Sequence, residues 1–155
     1  MSKQMIKNQQ VVANSFSHVG LEGEIPAGDI VVPYSRFLAE QEQLASHDGQ
    51  VAVSVNGNDY DIYAIGTELA KQAIVALEFP AFVDGRCYSF ARLLRERFGF
   101  TGELRAYGNV LRDQAFYMHR CGIDAYEVEE GKDLDVFLEG FKDFSVSYQP
   151  IPRAI

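Results

Sequence analysis

The sequence predicts an α/β domain: repeated βα units around a mainly parallel sheet of about five strands, preceded by a hairpin-like N-terminal segment. Two observations predict it. From Asp29 onward, short β-branched or apolar runs alternate with segments of helical period, the signature of βα units. Before that point, short apolar alternation is punctuated by Gly20, Gly23, Pro26 and Gly28, which suits strands and turns.

In chain order, Val11 to Phe16 and His18 to Ile25 read as a hairpin covering one edge of the sheet. The strands that follow are expected at Ile30 to Val32, Val51 to Val55, Ala73 to Phe79, Leu104 to Tyr107 and Ala125 to Val128. Helices are expected at Ser35 to Ser46, Asp59 to Ala70, Tyr88 to Phe98, Val110 to Arg120 and Leu134 to Phe141. In the third of these Asp84 is placed to cap, Cys87, Ala91, Leu94 and Phe98 form an apolar stripe, and Gly99 stops the helix. The next carries a stripe of Leu111, Ala115 and Met118, with Gly122 just past its end. With no repeat and no composition break, residues 30–149 read as one domain, 1–29 as a segment packed on it and 150–155 as a tail.

A chain of 155 residues buries roughly 70% of its unfolded surface, so it needs no disulfide or metal staple. The longest apolar run, Ala73 to Leu77, is far short of a membrane span, and Met1 to Gln10 lacks the apolar core of a signal peptide. The expectation is a cytoplasmic protein with no membrane partner. A net charge of -8 argues against nucleic acid as a partner, because phosphate neutralisation needs a positive surface. The positive charge is nonetheless concentrated: Asp84 to Arg120 holds seven arginines, no lysine and four acids. Two cysteines without a CxxC pair cannot supply an iron–sulfur cluster or a four-thiolate zinc site, and His18, His47 and His119 share no helix face. No cofactor or metal site is expected. Cys87 and Cys121 read as small core residues, although Arg86 beside Cys87 offers a way to lower a thiol pKa.

Ligands of α/β sheets bind beyond the carboxyl ends of the strands, so late-strand charges are the residues to inspect. Glu78, Arg105 and Glu127 fall there, and burial requires that they be paired or solvated in a cleft. A structural ion pair and the floor of a ligand site are equally compatible with that placement. The adjoining loops add Asp84, Gly85 and Arg86, then Tyr107, Gly108, Asn109, Arg112 and Asp113. Guanidinium forks, a phenol and helix-end amides converging on one mouth would suit a small oxyanion. Arg92, Arg95 and Arg97 read as a solvated helix face, or as a docking surface for an acidic partner if they align with Arg112 and Arg120.

The run Phe79-Pro80, Asp84 to Gly99 (DGRCYSFARLLRERFG) and Gly102 to Ala106 (GELRA) resembles a bacterial family of unknown function. The match continues through Val110 to Gln114 (VLRDQ) and Phe116 to Gly122, and ends with Asp143 to Gln149. That family is commonly labelled an oxidoreductase of sulfite reduction, chiefly because its genes lie beside that of the sulfite reductase haemoprotein. The resemblance implies an accessory protein of sulfur assimilation and cysteine biosynthesis, with the haemoprotein or its electron donor as partner. Six-electron sulfite reduction demands sirohaem, iron–sulfur or flavin centres, for which this chain has no motif, so the electron carrier is expected to be a partner or a reversibly bound cofactor. Where the family pattern leads to Gly-Asp, this chain has Gly108-Asn109, which keeps hydrogen bonding and weakens any role as a base. The alternatives are a small domain or enzyme that binds an oxyanion or phosphometabolite among Arg86, Arg105, Tyr107 and Arg112, with Glu78 or Asp84 orienting, and a protein whose function lies in a homo-oligomeric surface.

Overall fold

A computed structural model describes residues 3–56, 59–80, 85–129 and 131–142. The expected cap Asp84, the segment Asp143 to Gln149 and the tail 150–155 lie outside the described residues. The strands are β1 (Lys3–Lys7), β2 (Gln10–Asn14), β3 (Ser17–His18), β4 (Ile30–Pro33), β5 (Val51–Asn56), β6 (Ile74–Phe79), β7 (Glu103–Gly108) and β8 (Ala125–Tyr126). The helices are α1 (Tyr34–Ala39), α2 (Gln41–Ala45), α3 (Ile62–Leu69), α4 (Gly85–Glu96), α5 (Ala115–Arg120) and α6 (Leu134–Glu139). Among the described residues the strands join in one mixed eight-stranded sheet of order β2-β1-β8-β7-β6-β5-β4-β3.

The five βα strands stand where expected, within a residue or two. The sheet is larger than the five mainly parallel strands predicted, because the N-terminal segment contributes three more. β1 pairs antiparallel with both β2 and β8, while β3 to β8 are parallel throughout. The hairpin turns at Asn8 and Gln9, whose φ of 52° and 63° fit a type I′ turn, so its strands lie earlier than the predicted Val11 to Phe16 and His18 to Ile25.

Two pairings make the sheet close. β2 and β8 both run antiparallel to β1, so β2 points the same way as β3, and only Ser15 and Phe16 separate them. A flat eight-stranded sheet would hold its edges about 34 Å apart at roughly 4.8 Å per strand, which a two-residue link cannot span. The sheet therefore curls until one extended run, Gln10 to His18, pairs with β1 through its first half and with β4 through its second. Beyond β3 the Val19 N–H continues the run by donating to the Val31 carbonyl at 2.9 Å.

Consecutive parallel strands joined by right-handed crossovers put every helix on the same face. Outward-facing Val53, Val55, Val75, Leu77, Leu104, Ala106 and Tyr126 form one core with α3 to α6. Cys87, Ala91 and Leu94 of α4 point into it as expected, and Gly99 (φ 69°) ends that helix region. The predicted helix 110–120 is instead a 3-10 turn, Arg112–Gln114, followed by α5; Ala115 and Met118 are core, but Leu111 precedes the turn and is exposed. The helix expected at Ser35 to Ser46 is broken into α1 and α2 at Glu40. Among the described residues no helix is long and apolar enough to cross a membrane.

Candidate functional site

The inner face of the curl carries residues of the opposite parity: Ala52 and Ser54, Ala76 and Glu78, Arg105 and Tyr107, Ala125 and Glu127, in register on adjacent strands. The small Ala52, Ala76 and Ala125 on β5, β6 and β8 leave room beside them for a long side chain from β7. Arg105 fills it, 2% exposed. Its Nε donates to Glu103 Oε2 at 2.8 Å, one terminal nitrogen donates to Glu127 Oε2 at 2.8 Å, and its guanidinium lies 4.4 Å over the Phe16 ring. Lys7 pairs with the second oxygen of Glu103 at 2.9 Å. This answers how the late-strand charges are accommodated. Arg105 and Glu127 are ion-paired across neighbouring strands, one of the two arrangements the sequence left open, while Glu103 is the second carboxylate on the guanidinium.

The arginine plug separates two cavities. At the amino ends of the parallel strands a hollow of about 350 Å³ is lined by Lys7, Asp29, Glu103 and Arg105 among others. Asp29 accepts from the Ser15 hydroxyl at 2.6 Å and from the Gln50 amide at 2.9 Å, contacts that hold its carboxyl below the usual range. At the carboxyl ends a broad open depression of about 1120 Å³, larger than most ligand pockets, has His18, Tyr107, Gly108 and Glu127 in its wall and extends past Lys3, Gln4 and Val11 of the hairpin to Asp133 and Asp135 at the start of α6.

His18 supplies the feature that reasoning along the sequence missed. Its Nε2 lies 2.8 Å from Glu127 Oε1, its ring centroid 4.6 Å from that of Tyr107, and its side chain is 38% exposed. Burial pushes the Glu127 carboxyl up, but hydrogen bonds from His18 and Arg105 outweigh it and hold the group below its ordinary value. Burial pushes the Tyr107 hydroxyl up, its bond to Ser54 pulls it back in part, and the carboxylates of Glu78 and Glu127 push it further up. A chain of contacts thus runs inside the curl from Lys7 to Glu103, Arg105, Glu127 and His18.

Of the residues singled out from the sequence, Glu78, Arg105 and Tyr107 share this inner face, with Glu78 opposite Tyr107 in the β6–β7 register. Gly108 closes β7 with φ 92°, and a Cβ there would stand 2.6 Å from the Phe79 carbonyl oxygen, so glycine alone lets the strand end tightly against β6. Asn109 follows, half-buried, its backbone N–H donating to that same carbonyl at 2.7 Å. Arg86 is exposed in the first turn of α4. Arg112 reaches Asp113 at 3.5 Å within the 3-10 turn, which packs against α6. Asp84 lies outside the described residues. Arg105, one of the residues expected to hold an oxyanion with Arg86, Tyr107 and Arg112, is already engaged by two carboxylates.

Arg95, expected on a solvated face, is buried. It donates to the carbonyls of Phe100, Gly102 and Gly122 at 2.8 to 3.1 Å and lies 3.5 Å from Asp124. Arg97 is exposed, over the Tyr63 ring, and Arg92 lies 3.9 Å from the Cys121 sulfur. Both cysteines are buried, and burial pushes the Cys121 thiol up despite the Arg92 contact. Among the described residues no group of three His, Cys, Asp or Glu side chains is placed to hold a metal ion.

The family described as bacterial protein of unknown function (DUF934) matches residues 52–154, more than half the chain. The chain belongs to this family. No curated protein matches it, and no solved structure does. The family match covers Arg105, Tyr107 and Glu127 but begins after β4, so His18 and the rest of the closing run lie before it.

Proposed function

We propose that this protein is a small-molecule-binding accessory protein of assimilatory sulfite reduction, working through the carboxyl-end mouth of its curled sheet and acting with a sulfite reductase haemoprotein or that enzyme's electron donor. One observation carries the site: an open depression of about 1120 Å³ whose wall holds an imidazole–carboxylate pair fixed to a buried arginine. Carboxyl-end mouths are where parallel α/β sheets take their ligands. The pathway rests on the resemblance of Asp84 to Gly99 and the adjoining motifs to the family carrying that label. The carboxylates on Arg105 make a hydrogen-bonding organic ligand a better fit than sulfate or phosphate, which would have to displace Glu103 or Glu127.

Two measurements on the full chain test the halves separately. Native affinity purification from bacteria grown on sulfate, read by absorption and mass spectrometry, is expected to bring down a sirohaem-bearing protein; a colourless, solitary eluate overturns the partnership. Melting temperature is then followed against metabolites and oxyanions at about 1 mM, enough to saturate a micromolar site. A shift with an organic metabolite that is lost in Glu127→Gln supports the mouth as the site, and no shift with any compound overturns it.

A further inference from the structure

The mouth holds a side-chain arrangement that binding alone does not require. We infer that His18 is the general base of this mouth, drawing a proton from a protic nucleophile (a hydroxyl, a thiol or water) held in the cavity, with Glu127 as its positioning residue. The inference rests on the reading of the mouth as a ligand site.

The argument begins with Glu127. Its two oxygens are each assigned, Oε2 to Arg105 and Oε1 to His18, both at 2.8 Å. Arg105 is itself anchored at its far side by Glu103, so the carboxylate cannot rotate away from the imidazole without stranding a buried guanidinium. An ionised carboxylate only accepts hydrogen bonds, so Nε2 carries the hydrogen, and in the neutral imidazole the lone pair is on Nδ1. The Tyr107 ring, tilted 50° against the imidazole, fixes its plane from a second side. A base oriented by a carboxylate that is in turn held by a third group is the arrangement that activates nucleophiles in unrelated enzymes. The Tyr107 hydroxyl is bonded to Ser54, so the hydroxyl, thiol or water to be activated comes with the ligand.

In the step itself the proton leaves the nucleophile for Nδ1, and the freed electron pair attacks the electrophilic centre of the ligand. The imidazolium formed sits against the Glu127 carboxylate and returns its proton to the leaving group or to solvent. No electrons are gained or lost.

The test uses the full chain and p-nitrophenyl acetate as probe, with water as the nucleophile. At pH 8, hydrolysis is expected to fall by about a hundredfold in His18→Gln, the lower end of general-base effects, and measurably in Glu127→Gln. An imidazole 15N spectrum of the wild type should show His18 in the Nε2–H form, with that preference lost in Glu127→Gln. His47 and His119 remain in every variant and report the background. Hydrolysis equal in wild type and His18→Gln, or an Nδ1–H form in the wild type, overturns the inference. If Glu127→Gln fails to fold, His18→Gln alone decides, since its side chain is outside the core. Metabolite binding without His18-dependent hydrolysis would sink this inference and leave the binding site standing; the converse would sink the metabolite reading alone.

Discussion

Replacing Arg105 by alanine removes the largest fully buried side chain, which lies inside the curl. The guanidinium is 2% exposed and makes two charge-assisted bonds of 2.8 Å to carboxylates that are themselves 8% and 15% exposed. Breaking a buried pair by removing one partner costs about 3–5 kcal/mol, because the remaining charge stays in a poor solvent. Lost stacking on Phe16 adds to that. With a urea m-value near 2 kcal/mol/M, the unfolding midpoint should fall by about 2 M at pH 7. The deficit should also narrow in acid. In the wild type Glu127 titrates below its ordinary value, so its contribution is present above the unfolded pKa of about 4.3 and is lost as pH falls through the folded value. Without Arg105 that downward shift is smaller, so the variant loses less stability than the wild type as pH falls. Urea midpoints followed by circular dichroism at pH 7 and at about pH 4.5 check both parts. A loss below about 1 kcal/mol at pH 7, or a deficit that widens in acid, refutes the plug.

His18→Gln should cost about 1 kcal/mol or less in the same assay, since His18 is itself exposed and Glu127 keeps its bond to Arg105. Arg95→Ala should cost about 2–4 kcal/mol, because the carbonyls of Phe100, Gly102 and Gly122 lose a common donor. Gly108→Ala should destabilise by more than about 1 kcal/mol, since the new methyl meets the Phe79 carbonyl at a φ that L residues avoid. Cys87 and Cys121 should resist iodoacetamide in the native protein and react fully in denaturant, as buried thiols do.

The βα units were legible because each is a local pattern: Val51 to Val55 and Ala73 to Leu77 are apolar runs bounded by turns, and the α4 stripe repeats at helical spacing. Glu78, Arg105 and Tyr107 were legible for the same reason, as polar residues interrupting buried strands. The closure was not. The Asn8-Gln9 turn lacks the glycine that advertises a hairpin, and β3 is two residues long, recognisable only by its bonds to β4. His18 meets Glu127 across 109 residues of sequence, a distance at which no periodicity speaks. Arg95 was misjudged because helical spacing places it beside Glu96 and cannot foresee that three loop carbonyls descend on it.

The closing run also dictates an order of events during synthesis. β1 and β2 leave the ribosome before any strand they will join except each other, and β8, the partner of β1, comes about 120 residues later. At roughly 5–20 residues per second the hairpin waits on the order of ten seconds with its apolar Met5 and Ile6 uncovered, while β4 to β7 can pair with neighbours as each appears. Pairing of β1 with β8 cannot precede the synthesis of β8, so until then the hairpin is the segment for which a nascent-chain chaperone has the most to shield.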